Sequence, residues 1–563
     1  MQLAPQYLTI KGLFESRLFK IPDYQRGYSW EKMQRAHLFH DIEEAHRTGR
    51  QHFMATIVAL ARENITIMPD EFRSADVVDG QQRITTLVIL LKAIEKRLLL
   101  MERRDDQTQL ARLLVKGDDY SLLLLQTNHD SSNMFAQYIR SGKRGDHAKT
   151  LAEANILNAV DECENFVSTW CEKRPENSAA IIELWSTIRN KLSVIYHEIT
   201  DEATVYRVFE VLNSRGLDVR WIDKTKSQLM SLIFEHTSGP NRDQGLNDMK
   251  STWQKIYQEL GQKKTLDSDA LRFAGTLISK ERPSRVLPDA DAHEALCEHG
   301  GKTISQIMKA AEHLYQVVRL VRALDDDERR SAVTKIAHAR FLAVAIRLAS
   351  FDEDEKEKLL HLWERVTFRI FGLGRGDSRM RVGEYVRLAH DIYSSAISAS
   401  EAKDRIQGLG GSDYAIDRLL ANPNIWNNCY EGWTEELRYL LFRYDEYLAS
   451  KAGEEVNAFH WEKIWQSNAS DSIEHVIPQS TGFELRHHIG NLIMLPRRVN
   501  SKLQDDPPQE KAKTYRTSGL RDAIVVGDTI NGNFKNNQPG WSKQDIDNRA
   551  EELEHFVRLE WGE

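Results

Sequence analysis

Cysteine is scarce in this chain of 563 residues, and the few that occur are not paired by spacing. There are four cysteines, with no Cys-x-x-Cys arrangement among them. Disulfide-stapled secreted domains and thiolate zinc sites both depend on closely and regularly spaced cysteines. The sequence therefore argues against both classes, and any metal is expected to have other ligands. The four residues are Cys163, Cys171, Cys297 and Cys429.

Long apolar runs are also missing. Crossing a bilayer takes ~20 apolar residues, and the stretch from 87 to 100 is broken by Lys92, Glu95, Lys96 and Arg97. The first residues lack the basic and then apolar pattern of a secretory signal. We therefore expect no membrane partner and a cytoplasmic location.

The chain has no overall basic charge and no P-loop. Its net charge is −8, from 76 basic and 84 acidic residues, so the surface as a whole does not attract DNA. Basic charge is instead local, with seven Lys or Arg against three acids from Arg486 to Arg516. Such a cluster suits a phosphate backbone, although a run of charge is also typical of a solvated face. Without a Gly-x-x-x-x-Gly-Lys-Ser/Thr motif, a nucleoside triphosphate would have to be held differently.

What the sequence does contain is an ordinary globular composition, with 41% apolar and 28% charged residues. Apolar spacing of three and four dominates, while short β-branched segments lie at 53–60, 65–68 and 75–78. Near the start we predict a helix from Tyr7 to Ser16 and a helix capped by Ser29, and near the end a last helix with Ser542 as its N-cap and Asp545 as an acidic N3 residue. The whole is predicted to be a mainly α multidomain protein. Its predicted parts are an α+β domain with a helical insertion (1–235), a helical spacer (236–430) and a third domain (431–563).

One stretch near the end carries the chemistry of a phosphodiesterase. Glu474 and Asn500 can each give an oxygen to a hard divalent cation such as Mg²⁺ or Mn²⁺, which prefers oxygen ligands. His475 is then free to take a proton from water, because an imidazole titrates near pH ~6.5. The same residues also fit a simpler interpretation, a strand-end pair followed by asparagines that cap turns.

A second stretch, Asp79-Gly80-Gln81-Gln82-Arg83, connects a predicted strand to a predicted helix. An anion can sit there on free backbone N–H groups at the helix start. Gly80 lets the backbone approach closely, Arg83 can fork onto a phosphate, and Asp79 or the glutamines can position a water or a metal. A turn with an exposed arginine accounts for these residues equally well.

Taken together, the late motifs resemble a known nuclease domain. The pattern is Glu-His-x-x-Pro-Gln at 474–479, Gly-Asn-Leu at 490–492, and then Leu495, Asn500, Lys511 and Tyr515. It resembles the HNH (ββα-metal) nuclease domain at the C-terminus of GmrSD-type modification-dependent restriction enzymes. The resemblance implies that His475 is the general base, that Glu474 and Asn500 hold the metal, and that Asn491 braces the catalytic loop.

The early motifs resemble the N-terminal domain of the same family, which is similar to the ParB/sulfiredoxin-like fold. They are 24–30, 78–83 and 209–216, with Asp223 and Lys226. The resemblance implies binding and hydrolysis of a nucleoside triphosphate and sensing of modified DNA. The segment 218–221 is less aliphatic than in relatives, so the edge of this pocket is expected to differ. The implied nucleotide-binding residues are Tyr24, Gln25, Arg26, Asp79, Gly80, Gln81, Gln82, Arg83, Asn213 and Arg215.

These observations lead to one principal hypothesis. The chain is expected to be a nucleotide-regulated DNA endonuclease or nickase, dependent on Mg²⁺ or Mn²⁺, in a defence system against modified foreign DNA. One alternative is a non-cleaving, nucleotide-responsive DNA-binding or assembly protein with a degenerate nuclease domain. Another is that the N-terminal pocket is the only enzyme. Cutting both strands with one site per chain would be easier in a homo-oligomer, which the sequence leaves open.

Overall fold

The computed structural model describes residues 5–67, 69–116, 121–126, 132–174, 177–200 and 220–562. The chain forms two compact units. The first comprises Met1–Ile278 with Pro288–Arg319, and the second Ser279–Leu287 with Leu320–Glu563. The predicted division at 235 and 430 stays a prediction. Among the described residues, no helix combines the length and the apolar character that a membrane span requires.

A mixed seven-stranded sheet organises the first unit, in the order β1-β9-β3-β5-β2-β8 with β4 paired to β5. The pairs β1–β9 and β3–β5 are antiparallel, and β9–β3, β5–β2 and β2–β8 are parallel. Two further short strands pair only with each other. The strands are β1 Gln6–Thr9, β2 Arg17–Ile21, β3 His52–Ala61, β4 Ile65–Ile67, β5 Asp70–Asp79, β6 Val115–Lys116, β7 Ser121–Leu122, β8 Leu124–Gln126 and β9 Leu192–Ile199.

The helix Gln81–Leu100 is the centre of the core in this unit. It is apolar on almost every side, so it is buried by other helices and by the sheet instead of presenting one polar face to water. It follows β5 after a single residue, Gly80, which has a left-handed backbone with φ 92°. Helices of this unit are Ile10–Phe14, Lys32–Thr48, Gln81–Leu100, Arg104–Leu114, Ser132–Ser141, Leu151–Glu172, Asn177–Lys191, Trp221–His236, Gly239–Leu260, Leu266–Leu277 and Asp289–Gly300.

Near the start, one prediction is confirmed only in part and another is wrong. Of the predicted helix Tyr7–Ser16, only Ile10–Phe14 is helical, because residues 7–9 belong to β1 and pair with β9. Ser29 is not a helix cap. The helix begins at Lys32 after Glu31, which forms a capping box with Gln34.

The second unit is helical around one small hairpin. Its two strands are β10 Ile473–His475 and β11 Leu492–Met494. The mainly α architecture is thus confirmed, and the last helix has the predicted capping box between Ser542 and Asp545. The helix Ile304–Asp326 precedes this part of the chain. The helices that follow are Ser331–Thr334, Ala337–Leu348, Glu353–Thr367, the π-helix Phe368–Leu373, Val382–Tyr393, Ala399–Gly408, Ile416–Leu420, Thr434–Lys451, Ala458–Trp465, Ala469–Ser472, Arg497–Leu503, Pro508–Arg516, Arg521–Lys535 and Lys543–Trp561.

Candidate active site

The predicted phosphodiesterase residues lie on a two-stranded hairpin followed by a helix. β10 and β11 pair antiparallel, with Glu474 opposite Ile493 and His475 opposite Leu492. The helix Arg497–Leu503 comes directly after β11 and carries Asn500. The order is strand, strand, helix, and all four predicted residues fall within or beside these three elements.

Glu474 is a buried carboxylate with a fixed positive partner. Its Oε1 accepts hydrogen bonds from Lys511 Nζ and from the Tyr515 hydroxyl, each at 2.7 Å. Burial raises the pKa of Glu474, and the ammonium of Lys511 opposes that rise. No described residue donates to Oε2, so that oxygen is the one left for another partner.

His475 meets a different set of partners, as the next residue of a strand does. Gln479 Nε2 lies 3.1 Å from its Nδ1, and His487 Nδ1 lies 3.2 Å from its Nε2. Lys511 Nζ also donates to the backbone oxygen of His475 at 2.9 Å, which ties the two halves of the site together. Burial lowers the pKa of His475 to about 3, helped by His487 and by the charges of Lys511 and Arg486. The ring is therefore neutral at pH 7, the state in which an imidazole accepts a proton.

Asn491 is completely buried and holds the loop that follows β10. Its Oδ1 accepts from the backbone N–H of Ile477 at 2.9 Å, and its Nδ2 donates to the backbone oxygens of Ile477 and Arg486. Its own backbone oxygen accepts from Val476. One amide thus ties the residues that follow His475 to the segment that leads into β11, and a bracing role for Asn491 in catalysis stays a prediction.

Asn500 is anchored at the other end of β10. Its Nδ2 donates to the backbone oxygens of Asp471 at 2.9 Å and Ile473 at 3.1 Å. Because both bonds use the amide nitrogen, the orientation of the side chain is set, and no described residue donates to its oxygen. Asn500 is thereby bonded to the residue that precedes Glu474.

The donor chemistry of these residues fits a hard divalent cation. Glu474 Oε2 and Asn500 Oδ1 are a carboxylate and an amide oxygen without described hydrogen-bond partners, and Mg²⁺ takes such oxygens together with waters and phosphate. In the described part of the chain, no group of three or more His, Cys, Asp or Glu side chains is placed to hold a metal ion. Glu474 and Asn500 as metal ligands remain a prediction.

The back of the hairpin loop rests on the last helix. A Cβ on Gly490 would lie 2.1 Å from the backbone oxygen of Ile546, so only glycine fits this approach. Arg549 donates to the backbone oxygen of Ile489 at 2.8 Å and forms a buried ion pair with Asp522 at 2.6 Å. The helix Lys543–Trp561 therefore sets the position of the loop that carries Asn491.

In the first unit, the two predicted nucleotide loops are bonded to each other. Gln25 Nε2 donates to the backbone oxygen of Val78 at 2.7 Å, and Gln81 Nε2 donates to that of Arg26 at 3.4 Å. Gln82 accepts from the Ser29 backbone N–H and donates to the Gly27 oxygen. Three of the predicted ligand side chains therefore hold the adjoining loop, and their contact with a nucleotide stays a prediction.

The charged members of these loops lie close enough to affect one another. Burial raises the pKa of Asp79, and the neighbouring charges of Arg83 and Arg26 oppose the rise. Arg83 also lies over the ring of Trp30, 5.7 Å from its centre. Gly80 supplies the left-handed turn before the helix, and a close approach of its backbone to an anion stays a prediction.

A cavity of about 390 Å³ opens beside these loops. Of the predicted residues only Arg26 lines it, while Tyr24 lines a separate cavity of about 210 Å³. Arg220 and Asp223 form an ion pair at its wall. Asn213 and Arg215 lie outside the described residues. Residues that the sequence did not single out include Asn155, Arg220 and Lys264, although Arg220 falls in the segment where the sequence departs from its relatives.

The nuclease-like site also has members that the sequence analysis missed. His487, 12 residues after His475, and Tyr430, from a more distant segment, both contact the His475 ring. Neither stands in a recognisable motif, and the only available signal was the His487-His488 pair close to Gly490. Lys511 and Tyr515 belonged to the motif, but their shared role as partners of Glu474 required the folded chain.

Comparison with known families gives two matches. Residues 10–230 match the family model described as GmrSD restriction endonuclease, N-terminal domain, and residues 415–555 match the one described as GmrSD restriction endonucleases, C-terminal domain. The two matched regions together cover more than half of the chain and include both sites described above. No curated protein matches the chain significantly.

Proposed function

Since the chain belongs to the GmrSD family of restriction endonucleases, we propose that it is a metal-dependent HNH endonuclease regulated by a nucleoside triphosphate. Its substrate is modified foreign DNA. The observation that carries the nuclease proposal is the juxtaposition on one hairpin of a buried neutral imidazole, His475, with the carboxylate of Glu474. Lys511 joins the two through hydrogen bonds to both residues.

In this proposal His475 is the general base. It removes a proton from the attacking water, and the hydroxide adds to phosphorus in line with the leaving oxygen. Glu474 and Asn500 hold Mg²⁺ or Mn²⁺, which when bound absorbs negative charge on the phosphate. Asn491 keeps the loop at 476–477 in place, so the imidazole stays fixed relative to the phosphate.

Local basic charge supports DNA as the substrate. Arg497 and Arg498 are exposed at the start of the helix that carries Asn500, and Lys502 is exposed in its last turn. Lys511, by contrast, is buried against Glu474 and contributes nothing to the surface. The exposed cations are available to phosphates by counterion release even though the net charge is −8.

The decisive experiment is cleavage of plasmid DNA by purified protein with Mg²⁺ or Mn²⁺, with and without each ribonucleoside triphosphate. Unmodified, methylated and hydroxymethylated plasmids are compared. We expect the wild type to cut and His475→Ala to lose cleavage but keep DNA binding. His361→Ala, at an exposed helical position of the same unit, is the matched control and should cut normally. A His475→Ala protein that cuts at the wild-type rate would contradict the proposal.

Nucleotide hydrolysis is proposed for the first unit. The loops at 24–30 and 79–83 are bonded together, Arg26 lines the cavity beside them, and the charges of Arg83 and Arg26 act on the Asp79 carboxyl. A triphosphate would meet Arg26 and Arg83 as phosphate partners, while Asp79 would orient a water or a metal. Loss of triphosphate hydrolysis in Arg83→Ala, with unchanged folding, is the expected result. Unchanged hydrolysis of all four triphosphates would remove this pocket from the proposal.

A further inference from the structure

The imidazole of His475 has both ring nitrogens engaged. Gln479 Nε2 lies 3.1 Å from Nδ1, and His487 Nδ1 lies 3.2 Å from Nε2. An amide nitrogen can only donate, so Nδ1 of His475 accepts. A neutral imidazole carries one N–H, which must then be on Nε2 and must donate to His487 Nδ1. The partners on either side thus select one tautomer of His475.

His487 is itself held firmly. The backbone N–H of Cys429 donates to the His487 oxygen at 2.9 Å, and Asn491 Nδ2 donates to the oxygen of the preceding residue, Arg486, at 3.0 Å. The backbone on both sides of the His487 ring is therefore pinned, by the segment at 429 and by the asparagine that also braces the His475 loop.

The ring of Tyr430 fixes the plane of His487. The two rings stack at 5.3 Å with only 7° between their planes, and Tyr430 meets the edge of His475 at 4.8 Å and 68°. One aromatic ring thus contacts both histidines. Stacking of this kind favours one orientation of the His487 ring.

We propose that His487 is a positioning residue for the general base, fixing the tautomer and the orientation of His475 through the hydrogen bond between His475 Nε2 and His487 Nδ1. This inference rests on the proposed nuclease function. A catalytic histidine generally needs a hydrogen-bond partner on its second ring nitrogen, because that partner sets the orientation of the ring.

The proton balance follows from this arrangement. The attacking water replaces Gln479 Nε2 as the hydrogen-bond donor to Nδ1 of His475. An O–H bond of the water then breaks, and its proton goes to Nδ1. The hydroxide forms the new bond to phosphorus, and the leaving oxygen departs with the electrons of the broken P–O bond. The imidazolium keeps its Nε2–H on His487, which shares the new positive charge through that hydrogen bond.

Two substitutions separate positioning from packing. His487→Phe retains a flat ring that can stack on Tyr430 but has no acceptor for the Nε2 proton. His487→Asn loses the stack but places a carbonyl oxygen near the position of Nδ1. His361→Phe, at an exposed helical position of the same unit, serves as the matched control.

The test is cleavage of the same unmodified and hydroxymethylated plasmids with Mn²⁺ and all four ribonucleoside triphosphates, with kcat and KM measured separately. We expect kcat of His487→Phe to fall about 10- to 100-fold with KM unchanged. His487→Asn should recover most of the rate, and His361→Phe should resemble the wild type.

The outcomes distinguish this inference from the function it rests on. If the wild type cuts and His475→Ala does not, full activity of His487→Phe overturns the positioning role alone. A rise in KM with normal kcat, or equal impairment of His487→Asn and His487→Phe, overturns it as well, since either indicates packing. If the wild type cuts none of the DNAs, the nuclease proposal and this inference fall together.

Discussion

At the scale of single residues, the site depends on buried side chains that supply one another's hydrogen bonds and counter-charges. Glu474 is buried with its Oε1 bonded to Lys511 and Tyr515, and the ammonium of Lys511 is itself buried. Burying an ion pair costs desolvation free energy, so the pair adds little net stability while both partners are present. Removing one partner leaves the other as an uncompensated buried charge.

Lys511→Met is therefore expected to lower the free energy of unfolding by about 3–5 kcal/mol. The reason is that the Glu474 carboxylate loses its counter-charge while it stays buried. Urea unfolding of the wild type and the variant measures the change. Adding Glu474→Gln to Lys511→Met should restore part of the loss, and an equally unstable double variant would show that the pair is not the cause.

Gly490 provides a second residue-scale prediction. A Cβ there would meet the Ile546 oxygen at 2.1 Å, so Gly490→Ala must displace either the loop of Asn491 or the last helix. Overpacking of this kind typically costs about 1–3 kcal/mol, measurable as a lower unfolding midpoint. Gly532→Ala is the matched control, because nothing lies within 4 Å of its added Cβ. That control should be neutral or slightly stabilising, and similar losses in both variants would contradict the steric argument.

Residue identity and spacing alone predict part of the site. Glu474, His475, Asn491 and Asn500 could be predicted because they stand in one stretch at motif spacing. His487 and Tyr430 could not, because their roles depend on ring geometry that arises only when separate segments fold together. The glutamines at 81 and 82 were predicted as nucleotide ligands, yet their side chains bond to a loop more than 50 residues earlier.

At the scale of elements, prediction from sequence succeeds where contacts between neighbouring residues determine the secondary structure. The capping box of Ser542 and Asp545 was predicted because both partners lie within four residues. The helix predicted from Tyr7 to Ser16 is too long, because the apolar spacing suits a helix while residues 7–9 pair with β9, far along the chain. Tertiary pairing overrides local propensity there.

The contact between the helices Thr434–Lys451 and Arg521–Lys535 gives a prediction about pH. Asp445 accepts hydrogen bonds from the Asp522 backbone N–H at 2.8 Å and from Trp461 Nε1 at 3.2 Å. Burial, with the nearby charge of Asp522, raises the pKa of Asp445 from 3.8 to about 6. Between these values the folded chain holds a proton that the unfolded chain has released, so stability falls as pH rises through this window.

We expect this group to remove about 3 kcal/mol of stability from pH 3.8 to above pH 6, a loss that Asp445→Asn abolishes. The measurement is the difference in unfolding free energy between variant and wild type across that range, because groups common to both cancel. An Asn keeps one oxygen for the Asp522 N–H. A difference that does not change with pH would mean that Asp445 titrates normally in the folded chain.

At the scale of the whole molecule, the two proposed activities lie in separate compact units. The loops at 24–30 and 79–83 belong to the first unit and the hairpin with His475 to the second. Because the two sets of side chains lie in different units, we expect that a substitution in one set removes one activity and leaves the other in place.

Triphosphate hydrolysis in His475→Ala is accordingly expected at the wild-type rate although the protein cuts no DNA. Arg83→Ala should lose triphosphate hydrolysis, and with it any stimulation of DNA cleavage by nucleotide. Both activities are measured on the same preparations by phosphate release and plasmid cleavage. Loss of hydrolysis in His475→Ala would mean that the two sites are not chemically independent.

The support that the last helix gives to Gly490 and Ile489 also bears on synthesis of the chain. Ile546 and Arg549 leave the ribosome more than 45 residues after Asn500, so a nascent polypeptide that already displays Glu474 and His475 still lacks the backing of their loop. In the proposed nuclease, the loop beside Glu474 and His475 thus gains this backing only after the segment that holds Ile546 and Arg549 has been synthesised.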